Sequence, residues 1–389
     1  MTVADSVPTA EADDFRANVQ TVVDRVVAPA AARVDAEAMF PRESLDALGR
    51  AGALGILSAT DVGGSARGLR AAADVIERLA SACGSTAMVV LMHYAAVPLI
   101  EAHGPRETRE AIGGGRHLTT LAFSEVGSRS HFWAPLSTAR AVDGHVRLDA
   151  RKSWVTSAGQ ADSYVWSSQP LAASAGMTLW LVPANTAGLS QVGSFDGLGL
   201  RGNGSTPMAA SDLQLARSAM LGEDGAGLDV ALGLVLPNFL VLSAAFSLGL
   251  MEATATETAA HLNATQLEHL GQSLAQQQSV RLDFARLRLQ VDQTRALLED
   301  TLGALESGRA DAMLRVLEVK AAASEAALQV TDLAMKLCGG AAFRKELGIE
   351  RRFRDARAAR VMAPTTDALL DFVGRAALGL PLLEAVVAR

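Results

Sequence analysis

The stretch ALGLVLPNFLVLSAAFSLGLM, Ala231 to Met251, constrains this chain more than any other. It is long and apolar enough to cross a bilayer, which takes about 20 residues. Yet Pro237, Asn238, Ser243 and Ser247 interrupt it, Asp229 and Glu252 flank it, and no nearby cluster of Lys or Arg orients it. Outside a membrane, such a helix has to be buried on all sides, in a large helical domain or at a subunit interface. With 389 residues, the chain can build such a domain and carry one or two more.

The flanking periodicities say where the others lie. FRANVQTVVDRVVAPAAARVDA, ESLDALGRAGAL and ADVIERLASACGSTAMVVLMHYAAVPLI place apolar residues at helical spacing. Near His117 the pattern shortens to strands. HLTTLAFSEVG reads as one, STARAVDGHVRLDARKSWVT as a hairpin about Asp143-Gly144, and SYVWSSQP, TLWLVPANTAGL and SDLQLARS as three more. Helical spacing returns after Gly225 and Gly227, in QSVRLDFARLRLQVDQTRALLEDTLGALESG and in ADAMLRVLEVKAAASEAALQVTDLAMKLCGG, where Gly339-Gly340 supplies a C-cap. The expected architecture is α+β and multidomain: a helical domain over residues 1–116, an antiparallel β-domain over 117–222, and a helical bundle over 223–389.

Composition narrows the function. A net charge of -7 argues against nucleic-acid binding. Two cysteines, Cys83 and Cys338, give neither a disulfide framework nor a metal cluster, and a reducing cytoplasm is the expected location. The acidic start MTVADSVPTAEADDF lacks the features of a signal peptide, and no membrane association is expected. GLGLRG, Gly197 to Gly202, satisfies the glycine pattern of dinucleotide-binding turns, but strand-like sequence surrounds it, so a β-domain loop is the expectation. The histidines show no zinc spacing, and RRFRDARAAR reads as a solvated or ion-paired basic face.

More specific motifs lie inside this frame. LAFSEVGSRSHFWAPLSTARAVDGHVRLDARKSWVTSAGQADSYVW resembles the central β-domain of the acyl-CoA dehydrogenase superfamily, with its T/S-E-P-G-A-G-S-D signature, hairpin and K-x-W-I-T-N. FDGLGLRGNGSTPM resembles the family's L-G-x-R-x-S segment, and LCGGAAFRKELGIERRFRDAR its F-G-G-x-G-F…R-D-A-R/K run. The similarity runs in order over nearly the whole chain. It implies a C-terminal four-helix bundle, an FAD cofactor, an acyl-CoA or related thioester substrate, and a homodimer or homotetramer with FAD bound across subunits. It also implies O2 or an electron-transfer flavoprotein as electron partner.

Residue by residue, the resemblance assigns Ser124 to the flavin ring, Trp154 to its flank and Thr156 to the neighbourhood of N5, where reduction builds negative charge and donors are needed. Ser130 matches the residue that touches the thioester arm. Gln278 and the Gly339-Gly340 pair match contacts from a neighbouring subunit, and Thr365 a residue near the ADP portion. Taken singly, a Trp in a β-domain is usually core and a strand-end Ser or Thr usually a cap; the set carries the assignment. There are departures. An Arg that reaches the partner's FAD pyrophosphate in the family aligns with Leu267, Leu270 replaces a Phe, His131 replaces the signature's final Asp, and Lys336 stands for a Gln.

The most consequential departure concerns the base. Family dehydrogenases remove the α-proton of the thioester with a glutamate, a step worth orders of magnitude in rate. Its usual place, E-G-T, here reads Ala363-Pro364-Thr365, and the alternative place, on an earlier helix, falls at Asn238 or Phe239, two residues that would then line the substrate site. Neither place is acidic. Asp367 shares a helix face with Ala363 and is a candidate replacement, although Pro364, read as a first-turn proline, puts Asp367 where a carboxylate commonly complements the helix dipole. His131 follows Ser130 and is the other candidate. Glu125 reads as structural. Three functions follow: oxygenation of a thioester by the flavin, which needs no α-carbon base and which the vacancies favour; dehydrogenation with a relocated base; and a non-catalytic flavoprotein subunit, which the intact flavin contacts oppose.

Overall fold

In the computed structural model, which describes residues 10–128 and 131–381, the chain runs through helices, strands and helices again. The first block holds α1 (Ala10–Val22), α2 (Ala28–Ala36), α3 (Arg42–Arg50), α4 (Gly68–Ala82), α5 (Gly84–His103) and α6 (Arg106–Gly113). The β block holds β1 (Thr119–Ala122), β2 (Thr138–Val142), β3 (His145–Val155), β4 (Ser163–Ser168), β5 (Thr178–Pro183), β6 (Leu189–Gln191) and β7 (Thr206–Ala216). The last block holds α7 (Gly227–Val230), α8 (Leu236–Ala264), a small ribbon of β8 (Gln266–Leu267) and β9 (Gln272–Ser273), then α9 (Gln278–Ser307), α10 (Ala312–Cys338), α11 (Ile349–Val361) and α12 (Thr366–Ala377).

The apolar stretch is the strut of the molecule. A π-helical turn over Ala231–Val235 joins α7 to α8 just before Pro237, where the missing N–H leaves the ordinary helical ladder short of a donor. Asn238 turns back and donates its Nδ2 to Leu234 O at 2.7 Å. From Phe239 to Met251 every residue is buried, against α4 and α5 on one side and α9, α10 and α11 on the other. Two helical runs are long and apolar enough to cross a membrane, Gly84–His103 and Gly227–Ala264, and 83% and 72% of their apolar windows are buried inside the structure.

The β block is two sheets. One has the order β1-β4-β5, with β1 and β4 parallel, and the other is antiparallel in the order β2-β3-β7-β6. The hairpin turn is at Asp143 and Gly144, both at positive φ, as a two-residue turn between twisted strands requires. GLGLRG forms no helix and lies in the loop between β6 and β7, as expected.

That loop meets α11 at the junction of all three blocks. Leu200 N donates to Asp355 Oδ1 at 2.6 Å, and burial pushes this carboxyl up to about 6. Arg354 binds both oxygens of Asp35 in the first block, at 2.8 and 2.5 Å, and donates to Leu198 O in the β block at 3.1 Å. Gly199 permits the approach, because a Cβ there would lie 2.5 Å from the backbone C and O of Arg354. Gly199→Ala therefore has to push the loop off α11. We expect a loss of about 1–3 kcal/mol, the range for overpacked sites, read as a lower urea midpoint; an unchanged midpoint would show that the loop moves freely.

Candidate active site

The three blocks close on a cavity of about 1130 Å³. That is above the roughly 300–1,000 Å³ of pockets for single drug-sized ligands, so it has room for more than one. Its walls follow from local structure. Beyond β1 the chain stays paired to β3: Ser153 N donates to Ser124 O at 2.9 Å, and Glu125 bridges to Lys152. The register of β3 against β7 slips between Lys152 and Val155, and within the slip Trp154 adopts a φ of 56° and stands 70% exposed on the cavity wall. A bulky residue in the left-handed region is strained, and such strain clusters at functional sites. Thr156 is buried with its Oγ1 3.0 Å from Ser205 Oγ, and Ser157 N donates to Asn203 O at 2.9 Å, so the loop before β7 lies along this segment.

Ser124, Trp154 and Thr156, which the resemblance assigns to the flavin, thus all line the cavity. The cavity also has an apolar lining: Met88 and Met92 of α5, then Ala231, Val235, Leu236 and Phe239. Of the alternative base positions, Phe239 lines the cavity, whereas Asn238 is not part of the wall and spends its amide on Leu234. Ala363, Pro364, Thr365 and Asp367 line the cavity too. Thr365 is the N-cap of α12, its hydroxyl accepting from Ala368 N at 3.4 Å. Pro364 therefore precedes the cap and is not the first-turn proline that the sequence reading takes it for; Ala363-Pro364 is a cis peptide. Asp367 remains in the first turn, exposed, and makes no hydrogen bond or ion pair among the described residues.

His131 does not face the cavity. It is exposed, its Nδ1 lies 3.1 Å from Ser128 O, and its ring meets Trp133 edge-on at 5.0 Å. Trp133 in turn reaches Phe372 of α12 at 5.9 Å, and Phe132 beside it joins the wall. Ser130 lies outside the described residues. Gln278, Gly339 and Gly340 are exposed and away from this cavity, where the resemblance has them serve a neighbouring subunit. Glu125 is buried with Lys152 Nζ at 2.5 Å and backbone N–H groups of Leu136 and Ser137 on its oxygens. Burial pushes its carboxyl up, but Lys152 and these hydrogen bonds outweigh that and hold it below the usual carboxylate range. Its role is to fasten the segment that carries Ser124.

One buried residue escapes the sequence reading. Lys320 of α10 donates to Met362 O at 3.0 Å and to Pro364 O at 2.8 Å, clamping the turn that presents Ala363. No carboxylate pairs with it among the described residues, and burial pushes its amine down to about 7. Its place inside an alanine-rich helix gives no sequence signal, since one lysine on a helix is usually solvated.

Three blocks closing on hydroxyls and an aromatic are the arrangement that the resemblance requires, and comparison with known proteins agrees. The N-terminal, middle and C-terminal domain models of acyl-CoA dehydrogenase match residues 9–113, 120–213 and 225–378. The chain belongs to the acyl-CoA dehydrogenase superfamily. It is 27% identical to the human short-chain specific acyl-CoA dehydrogenase over 87% of this chain and 83% of that one. It is 26% identical to a cyclohex-1-ene-1-carbonyl-CoA dehydrogenase of Geobacter metallireducens over 92% and 96%. In fold it is similar to butyryl-CoA dehydrogenase of Megasphaera elsdenii, with a TM-score of 0.89 at 22% identity, covering 96% of this chain and 100% of that one. It is likewise similar to the prolyl acyl carrier protein oxidase AnaB, with a TM-score of 0.87 at 19% identity over 96% and 100%.

The Lys320 amine has a pH signature. The folded protein releases its proton near pH 7, while the unfolded chain holds it to about 10.5, so the unfolded state binds more protons between these values and stability rises with pH. Lys320→Met lacks this rise. Between pH 7 and 9 the stability difference should grow in favour of the wild type by on the order of 1–2 kcal/mol, measured by urea unfolding of both proteins. A constant difference would mean that the buried amine stays charged.

Proposed function

We propose that this protein is an FAD-dependent oxidoreductase acting on an acyl thioester of coenzyme A or a carrier protein, and that it oxygenates this substrate. The cavity suits the cofactor. Ser124, Thr156 and Ser205 offer hydroxyls on the wall where Trp154 offers a ring face, and the capped N-terminus of α12 offers N–H groups to a phosphate. FAD, when bound, supplies a two-electron acceptor and, once reduced, reactivity towards O2. The protein's share is to bind, orient and exclude water: the strained Trp154 would flank the ring, and the apolar residues from Met88 to Phe239 suit an acyl chain. The exposed Gln278, Gly339 and Gly340 are read as contacts to a second copy in a homo-oligomer.

One observation carries the oxygenase reading. Both places where the family keeps its glutamate face this cavity as apolar residues, Ala363 and Phe239, although the wall around them is intact. A second reading is favoured by Asp367, which lines the same cavity without a partner among the described residues and so is available as a relocated base for dehydrogenation. His131, exposed and off the wall, is the weaker substitute.

Anaerobic mixing of the FAD-loaded protein with acyl-CoA thioesters separates these readings. Oxygenation predicts that the thioester alone does not bleach the flavin absorbance, and that a hydroxylated or cleaved product forms only with an electron donor and O2. Bleaching with an enoyl product would sink it, and loss of that bleaching in Asp367→Asn would identify the base. Ala363→Glu restores a carboxylate at the customary position and should raise anaerobic flavin reduction by at least about 100-fold, the lower range for a positioned general base.

A further inference from the structure

Three arginines of α11, spaced three residues apart, line the cavity: Arg354, Arg357 and Arg360. Two are satisfied by protein carboxylates. Arg354 is held by Asp35 and Glu350, and Arg360 lies 3.2 Å from Glu325. Arg357 differs. It is half-buried, its guanidinium lies 3.7 Å over the Phe353 ring, and its Nη1 donates to Thr331 Oγ1 at 3.3 Å. It forms no ion pair among the described residues: Asp332, beside Thr331, acts on it only from a distance, and Asp367 on the same wall does not reach it. Burial accordingly holds its guanidinium below the usual arginine range.

A stacked, hydrogen-bonded guanidinium is a preorganised fork, and its remaining N–H groups suit an oxyanion far better than water alone. A partly desolvated charge with no counter-ion is costly, and a ligand that brings the counter-ion removes the cost. We propose that Arg357 is the anion-binding residue of this cavity, taking a phosphate or carboxylate oxygen of the ligand that fills it. This rests on the reading that cofactor and thioester share the cavity. The wall around Arg357 supplies the selectivity: α11 carries the only guanidinium there that protein carboxylates leave open among the described residues, and the α5 and α8 side is apolar.

The test is calorimetric binding to wild type, Arg357→Gln and Arg357→Lys, of FAD to the apoprotein and of butyryl-CoA and glutaryl-CoA to the FAD-loaded protein. Arg357→Gln should weaken at least one of these by about tenfold or more, the worth of a charge-assisted hydrogen bond, with partial recovery in Arg357→Lys and a ligand-free thermal midpoint no lower than that of wild type. Loss for FAD alone assigns the anion to the cofactor's phosphates, and equal loss for both thioesters assigns it to those of coenzyme A. Loss confined to glutaryl-CoA assigns it to a carboxylate at the acyl end. Affinities within twofold of wild type for all three overturn the subsite, whatever reaction the enzyme performs. Wild-type protein that binds none of them overturns the functional reading as well. Normal binding losses without thioester turnover would defeat only the functional reading.

Discussion

The structure depends on the contact between Arg354-Asp355 and the two other blocks. Arg354 grips Asp35 with two hydrogen bonds and Glu350 with two more, while Asp355 takes the backbone N–H of Leu200 in a buried site. Charged hydrogen bonds of this kind are worth more than neutral ones, and removing one partner strands the other in a poor dielectric. The helix α11 that makes these contacts also ends in the turn carrying Ala363. The hub that fixes the three blocks therefore fixes one side of the cavity, and two glycines leave room for it: Gly199 of GLGLRG fits against Arg354, as Gly84 fits against Asp355.

Another part of the cavity wall is fixed by different means. The pairing of Glu125 with Lys152 ties the segment after β1 to β3, and the register slip just beyond Lys152 throws Trp154 outward. A buried ion pair is weak evidence of stability, since desolvation offsets much of its attraction. It does specify geometry, because neither group tolerates a partner in the wrong place. Ser124, Trp154 and Thr156 are positioned by this pair and by the Thr156–Ser205 contact, together with the buried Ala122 and Val155 beside them.

What the sequence made legible divides along physical lines. Periodicity located the helices, the Asp143-Gly144 turn located a hairpin, and the interrupted apolar run marked α8, because these signals are local or depend on burial alone. The motif residues Ser124, Trp154 and Thr156 meet in space because their spacing along strands fixes their spacing on a wall. Lys320, Arg357 and the Thr156–Ser205 contact were invisible, since each depends on a neighbour that is tens of residues away in sequence. Pro364 was misread for a related reason. A proline one residue before a capping threonine looks like a first-turn proline until the cap itself is seen. His131 suggested a base by its place after Ser130, yet its ring packs on Trp133 and does not line the cavity.

The clamp on the turn bears on what the vacancy at Ala363 means. Lys320 is buried without a carboxylate partner, an arrangement that disfavours its charged form and costs stability in any chain that carries it. Its two hydrogen bonds hold Met362 and Pro364, the residues on either side of Ala363. An apolar residue of similar length would leave both carbonyls without this donor, so the lysine fixes a turn that lines the cavity. The turn is held in position, and it lines the cavity with Ala363 where the resemblance would have a carboxylate. Under the proposed oxygenase reading, the site keeps its shape at this turn while its proton chemistry is changed.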